Sequence, residues 1–197
     1  MSNQITTDVI KKLRDKTGVS VMQCKKALES VNGDVEKAVI VLRKQSSEIS
    51  AKKADRKVGA GIISAYIHTN GGIGSMAELV CETDFVAKNE DFKKLAYDIS
   101  MQVAAMNPKF LNSDEITEAD KKAAREVFKD EAKGKMSELQ EKIIEGKLAS
   151  YFKDKVLMEQ NFIKDQNITI KNLIQSATQK FGEKIEIRRF IRFSALE

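Results

Sequence analysis

Residues 81–92 read Cys-Glu-Thr-Asp-Phe-Val-Ala-Lys-Asn-Glu-Asp-Phe, and the fold can be built outward from them. Upstream, Met76 to Val80 is a short apolar-rich run that suits a buried strand. Downstream, Phe92, Leu95, Ala96, Ile99, Val103 and Met106 recur at helical spacing and predict one core-facing stripe. Asn89 is placed to cap that helix, since its side chain can accept from free backbone N–H groups of the first turn. Thr83-Asp84-Phe85 therefore falls where a strand becomes a helix, with an aromatic ring beside a carboxylate. A corner supported by two regular elements is a suitable platform for a tip that pushes into a partner.

Gly59 to Thr69 has the aromatic and β-branched content of a strand, and Asn70-Gly71-Gly72 is a turn signal. With a second strand over Gly74–Cys81 this predicts a hairpin. Lys184–Phe193 alternates: Ile185, Ile187, Ile191 and Phe193 on one face, Glu186, Arg188 and Arg192 on the other, interrupted at Arg189 and Phe190. Three antiparallel strands packed with helices give an α+β core.

Ahead of this core, residues 5–43 predict three short helices. Thr7 or Asp8 starts the first, Gly18 closes it, Ser20 caps the second, and Gly33-Asp34 is a stop beside a start. Such a bundle is small and typical of a binding module. Lys44 to Lys57 is polar; the third helix can run on into it, but the stretch has little to bury and reads as a linker. The expected domains are residues 1–52, helical and including the start of that linker, and residues 53–197, the core. Within the core, residues 112–160 turn helical and highly charged, with short interruptions at Gly134 and Gly146, and read as an excursion.

Composition narrows the class. The chain has 197 residues, 42% of them hydrophobic, which supports a real core. No window holds the ~20 unbroken apolar residues of a membrane span. Met1-Ser2-Asn3-Gln4 lacks the apolar run of a secretion signal, and Cys24 and Cys81 form no disulfide framework, so the expected compartment is the cytosol. A net charge of +5, from 34 basic and 29 acidic residues, allows nucleic-acid contact without demanding it.

The dodecapeptide at 81–92 resembles the signature of the translation elongation factor Ts family, the guanine-nucleotide exchange factors for elongation factor Tu. Residues 12–28, Lys-Leu-Arg-Asp-Lys-Thr-Gly-Val-Ser-Val-Met-Gln-Cys-Lys-Lys-Ala-Leu, resemble the family's N-terminal signature. Gly146-Lys147-Leu148 through Gln160, with Phe162-Ile163-Lys164-Asp165, and Gly182-Glu183-Lys184-Ile185 through Phe193 are similar to two later segments, in family order. The resemblance implies an N-terminal ubiquitin-associated-like bundle that grips the partner GTPase, with Val19, Met22 and Lys25 as its contacts. It implies that Asp84 and Phe85 intrude near the partner's magnesium and phosphates, with Thr83 shaping the corner and Val86 anchoring it. Gln102, before Val-Ala-Ala, stands where the family has His or Gln on the phosphate-loop side. The implied partner is elongation factor Tu, GDP-bound or nucleotide-free. Longer members resemble two related halves, whereas this chain has one hairpin-plus-helix set, and a homodimer is the expected assembly.

Other constellations carry little. His68, the only histidine, has no partner at metal-ligand spacing, so neither a metal site nor base catalysis is expected. No GxxxxGK loop occurs, so the chain is not itself a nucleotide hydrolase. No cofactor and no obligatory nucleic acid are expected. Arg188, Arg189 and Arg192 leave one alternative, an RNA- or ribosome-associated accessory protein without exchange activity.

Overall fold

The computed structural model describes residues 5–131 and 137–195; residues 1–4 and the interruption at Gly134 lie outside them. Three helices open the chain: α1 (Thr7–Thr17), α2 (Val21–Ser30) and α3 (Val35–Lys52). Each has a capping side chain of the expected kind. Thr6 accepts from the Val9 amide, Ser20 from Gln23 and Asp34 from Lys37. Gly18, at φ 68°, sends its N–H back to the Arg14 carbonyl and ends α1 in the left-handed conformation that suits glycine. Ile10, Leu13, Cys24, Leu28, Ala38 and Leu42 lie in one buried cluster of the bundle.

The third helix does run on into Lys44–Lys57, and the expectation that this stretch buries little is corrected at Ser46. Helix α3 continues to Lys52, and Ser46 within it is buried. Its single hydroxyl proton can go to the Leu42 carbonyl or to the side-chain oxygen of Gln179, so a polar residue is buried with an acceptor in reach.

The sheet has strands β1 (Ala60–Ile67), β2 (Ile73–Cys81) and, from the end of the chain, β5 (Glu186–Ser194), in the order β1-β2-β5. The hairpin turn is where the sequence predicts it. The Gly72 amide donates to Asn70 Oδ1 at 3.0 Å, and the His68 amide to the Ile73 carbonyl at 2.8 Å. After β2 come the single turn α4 (Asp84–Ala87) and the long helix α5 (Glu90–Met106). Phe92, Leu95, Ala96, Ile99 and Val103 are buried as the spacing requires, while Met106, in the last turn, is exposed.

Strand β5 departs from its predicted alternation. Ile185 and Ile187 are buried, but Ile191 and Phe193 are exposed. The inward parity changes between Ile187 and Phe190, where Arg189 and Phe190 break the pattern, so that Arg192 faces inward and its Nε donates to the Ala104 carbonyl of α5. A change of parity turns every later side chain to the other face.

The excursion consists of α6 (Glu118–Glu131) and α7 (Ser137–Lys155), the latter running on through Gly146 where an interruption was expected, followed by a short hairpin, β3 (Asn161–Phe162) with β4 (Asp165–Thr169), and then α8 (Ile170–Phe181). Edge-on ring contacts between Phe128 and Tyr151 join α6 to α7. By contacts the chain divides into two compact units. One is Met1–Ile63, Glu78–Ala96 and Lys171–Arg188; the other is Ser64–Ala77, Tyr97–Ile170 and Arg189–Glu197.

Candidate partner-binding site

In the first unit, the Thr83-Asp84-Phe85 corner is held from beneath. Thr83 is extended, at φ −125° and ψ 156°, and its carbonyl accepts from the Ala87 amide, which closes α4. Asn89 stops that turn by donating to the Val86 carbonyl, and its own side chain accepts from Asp91 at 2.9 Å to start α5. Val86 is buried, as an anchor should be. Phe85 projects outward with 82% of its surface exposed. An aromatic ring this exposed gains nothing for the fold, since burial from water is what makes such a ring stabilising.

Asp84 is exposed beside it, and its Oδ2 lies 2.6 Å from Lys88 Nζ. That hydrogen bond and the ammonium charge hold the Asp84 carboxyl below the usual range, so it is ionised at neutral pH. Cys81, under the corner, donates its thiol to the Thr83 carbonyl at 3.1 Å. Burial, with the charge of Glu183, pushes that thiol's pKa up, so it remains protonated.

The last turn of α8 and the residues after it join the corner to the bundle. Gln179 takes the Ser46 hydroxyl of α3, and Lys180 pairs with Asp91 at the start of α5. Phe181 packs edge-on against Phe92, and the Gly182 carbonyl accepts from Lys53. Glu183 bonds Thr83, and the Lys184 amide donates to Glu82 at 2.6 Å.

On the bundle, Met22 is 68% exposed, as expected of a contact. Lys25 is exposed and sits 3.8 Å from Glu29. Val19 is corrected: it is 1% exposed and belongs to the bundle core. Gly18 ends α1 and the chain turns inward before Ser20 caps α2, which buries Val19 and leaves Val21 as the exposed apolar neighbour of Met22. Val21 and Ile40 are exposed apolar residues that were not among the expected contacts. Ser20 as a cap was the available signal for Val21, because the first residue of a capped helix need not face its core.

Gln102, in the second unit, is fully buried. Its amide donates to Gln160 Oε1 and to the Asn161 carbonyl, both at 3.1 Å, and its Oε1 accepts from the Ile163 amide at 2.9 Å. It secures the β3 segment against α5. His68 Nδ1 lies 3.1 Å from the Tyr66 hydroxyl, and no group of three His, Cys, Asp or Glu among the described residues could hold a metal ion. No helix among the described residues is long and apolar enough to cross a membrane.

Comparison with known proteins converges on one family. The family model described as Elongation factor TS matches residues 1–197. A protein of Fervidobacterium nodosum named Elongation factor Ts is 47% identical over 193 residues, covering 96% of this chain and 97% of the relative. Its namesake in Thermosipho melanesiensis is 46% identical over 197 residues, with 98% and 100% covered. That of Thermodesulfovibrio yellowstonii is 47% identical over 190 residues, with 96% and 95% covered. With a match of this extent, and with the family's signature stretch folded into a strand-to-helix corner, the chain belongs to the elongation factor Ts family of translation elongation factors.

Proposed function

We propose that this chain is a guanine-nucleotide exchange factor for elongation factor Tu, acting in the cytoplasm on its GDP-bound and nucleotide-free forms. The observation that carries the reading is Phe85, exposed at the tip of a corner whose backbone is bonded down on both sides. GDP in such a GTPase is held by phosphate-cradling amides and Mg²⁺. Phe85 wedges beside these elements, and the Asp84 carboxylate competes for the groups that order the metal. Thr83 and Val86 hold the wedge in place, while Val21, Met22 and Lys25 belong to the grip on the partner. Gln102 serves the phosphate-loop side indirectly, through the Asn161–Ile163 backbone that it secures.

No covalent bond is made or broken, so this is not enzymatic chemistry, and it requires no cofactor, metal or nucleic acid of the chain's own. Binding is reciprocal: whatever GDP affinity the factor removes from the GTPase, GDP removes equally from the affinity for the factor. The test is release of labelled GDP from elongation factor Tu with and without this chain; an unchanged rate rejects the reading. The RNA alternative gains no support from the strand arginines, since Arg188 pairs with Glu78 at 2.9 Å and Arg192 bonds Ala104.

Residues 1–52 act as the gripping module and residues 53–197 as the core. The bundle cluster draws only on residues 10–42, which supports a unit able to fold by itself. A chain beginning at Lys53 is expected to give a cooperative melt and to bind elongation factor Tu at least tenfold more weakly, about 1.4 kcal/mol. Equal affinity by titration calorimetry would remove the bundle from the grip.

The working assembly is a homodimer. In the second unit, Tyr66, Ser75 and Arg192 meet Tyr97, Ser100 and Ala104 of α5. Ile67, Met76, Ile191 and Phe193, of opposite parity, are exposed on the sheet face turned away from that helix. Large apolar side chains gathered on one bare sheet face mark an association surface. A second copy is the occupant that rebuilds a two-half core by the commonest symmetry, a two-fold. Light scattering should give twice the chain mass at micromolar concentration, and Phe193→Asp should return it to one.

A further inference from the structure

Thr83 stands at the position where a threonine ordinarily caps the helix that follows, yet its side chain caps nothing. Its hydroxyl is donated instead to Glu183 Oε1 at 2.6 Å, and its backbone N–H to Glu183 Oε2 at 3.0 Å. Both oxygens of one carboxylate are thus spent on the residue preceding Asp84 and Phe85. Bonds to an ionised acceptor are short and stronger than neutral ones. Glu183 reaches this place because Gly182, at φ 71°, ends α8 in the left-handed conformation and turns the chain toward the corner. A side-chain Cβ at Gly182 would meet nothing within 4 Å, so the glycine is there for its backbone angle.

Resting on the wedge reading above, we propose that Glu183 is a positioning residue for exchange: its carboxylate clamps Thr83 and so fixes the direction in which Phe85 projects. A ring that displaces a partner's elements is useful only if its own support does not yield. Apart from the Cys81 thiol on the Thr83 carbonyl, the side-chain ties at Thr83 among the described residues are those to Glu183, which takes both its hydroxyl and its amide.

The test uses the full-length chain with elongation factor Tu and three readouts: melting temperature, affinity, and GDP release at saturating factor. Glu183→Ala should lower the saturated release rate about tenfold or more, the scale of a lost charge-assisted bond, with affinity nearly unchanged. Glu183→Gln should restore most of the rate, because its oxygen can accept from the Thr83 amide while its amide donates to the hydroxyl. Thr83→Val should lose part of the rate. The double variant Glu183→Ala, Thr83→Val should be no slower than Glu183→Ala alone, since the two residues make one interaction. Thr83→Val also keeps the proposal open to test should Glu183→Ala fail to fold.

A lower melting temperature with the parental release rate would make Glu183 a structural residue only and overturn the proposal. So would Glu183→Gln as slow as Glu183→Ala, which would assign the effect to charge and not to the clamp. Phe85→Ala in the same assay separates the two levels. If it releases GDP at the parental rate, the wedge reading itself fails; if it is slow while the Glu183 variants are not, only the clamp fails.

Discussion

Replacing Phe85 by alanine should slow stimulated GDP release by about tenfold or more while leaving the melting curve where it is. The ring is 82% exposed, so removing it opens no cavity and sacrifices no packing. Surface substitutions of this kind usually stay within about 0.5 kcal/mol of the parent. A ring that contributes so little to the fold loses whatever it did for the partner. The expected signature is a lower rate at saturating factor, with binding reduced less, because the wedge acts on the step and the bundle on the grip. Asp84→Ala should follow it in direction. An early melt together with a parental release rate would show Phe85 to be a structural residue.

Phe92→Ala should do the opposite. Phe92 is 0% exposed and packs edge-on against Phe181, with ring centroids 6.0 Å apart. Its truncation removes buried apolar area and leaves a void, which for phenylalanine costs about 3–5 kcal/mol. For a domain of this size that lowers the melting temperature by roughly 6–20 °C. Where the variant is still folded, the saturated release rate should change far less than in Phe85→Ala. Thermal melts followed by circular dichroism check the first part and labelled-GDP release the second. The same side chain, on the two sides of one short corner, then separates function from stability within a single pair of measurements.

The contrast between these two rings explains what could be read without coordinates. Phe92 begins a stripe that repeats at helical spacing, and periodicity reports burial directly. The three bundle helices were legible for a related reason: Ser20 and Asp34 act as caps through bonds only three residues long. Where a relation was long-range, the local pattern failed. Ser46 looked solvated because its partner, Gln179, is 133 residues away. The Glu183–Thr83 bond spans 100 residues and left no trace in either neighbourhood. Val19 sits in a connection with no period of its own. Ile191 and Phe193 were assigned inward because alternation was continued across Arg189 and Phe190, where the strand changes parity. Phe85 itself could not be called exposed from spacing; the family's signature singled it out, and the coordinates supply its exposure.

The segment from Gln179 to Lys184 limits how this protein could be rebuilt. Bonds from consecutive residues run to α3, to α5, to Lys53, to Thr83 and to Glu82. A single inserted or deleted residue there would transfer each bond to the wrong neighbour. An engineer exchanging the N-terminal bundle for that of a relative would therefore need to carry the end of α8 with it. Cutting only at Lys53 would import a bundle whose Ser46 position keeps the Leu42 carbonyl but has no matched partner at Gln179. The two parts are far apart in sequence but form one transplantable cassette.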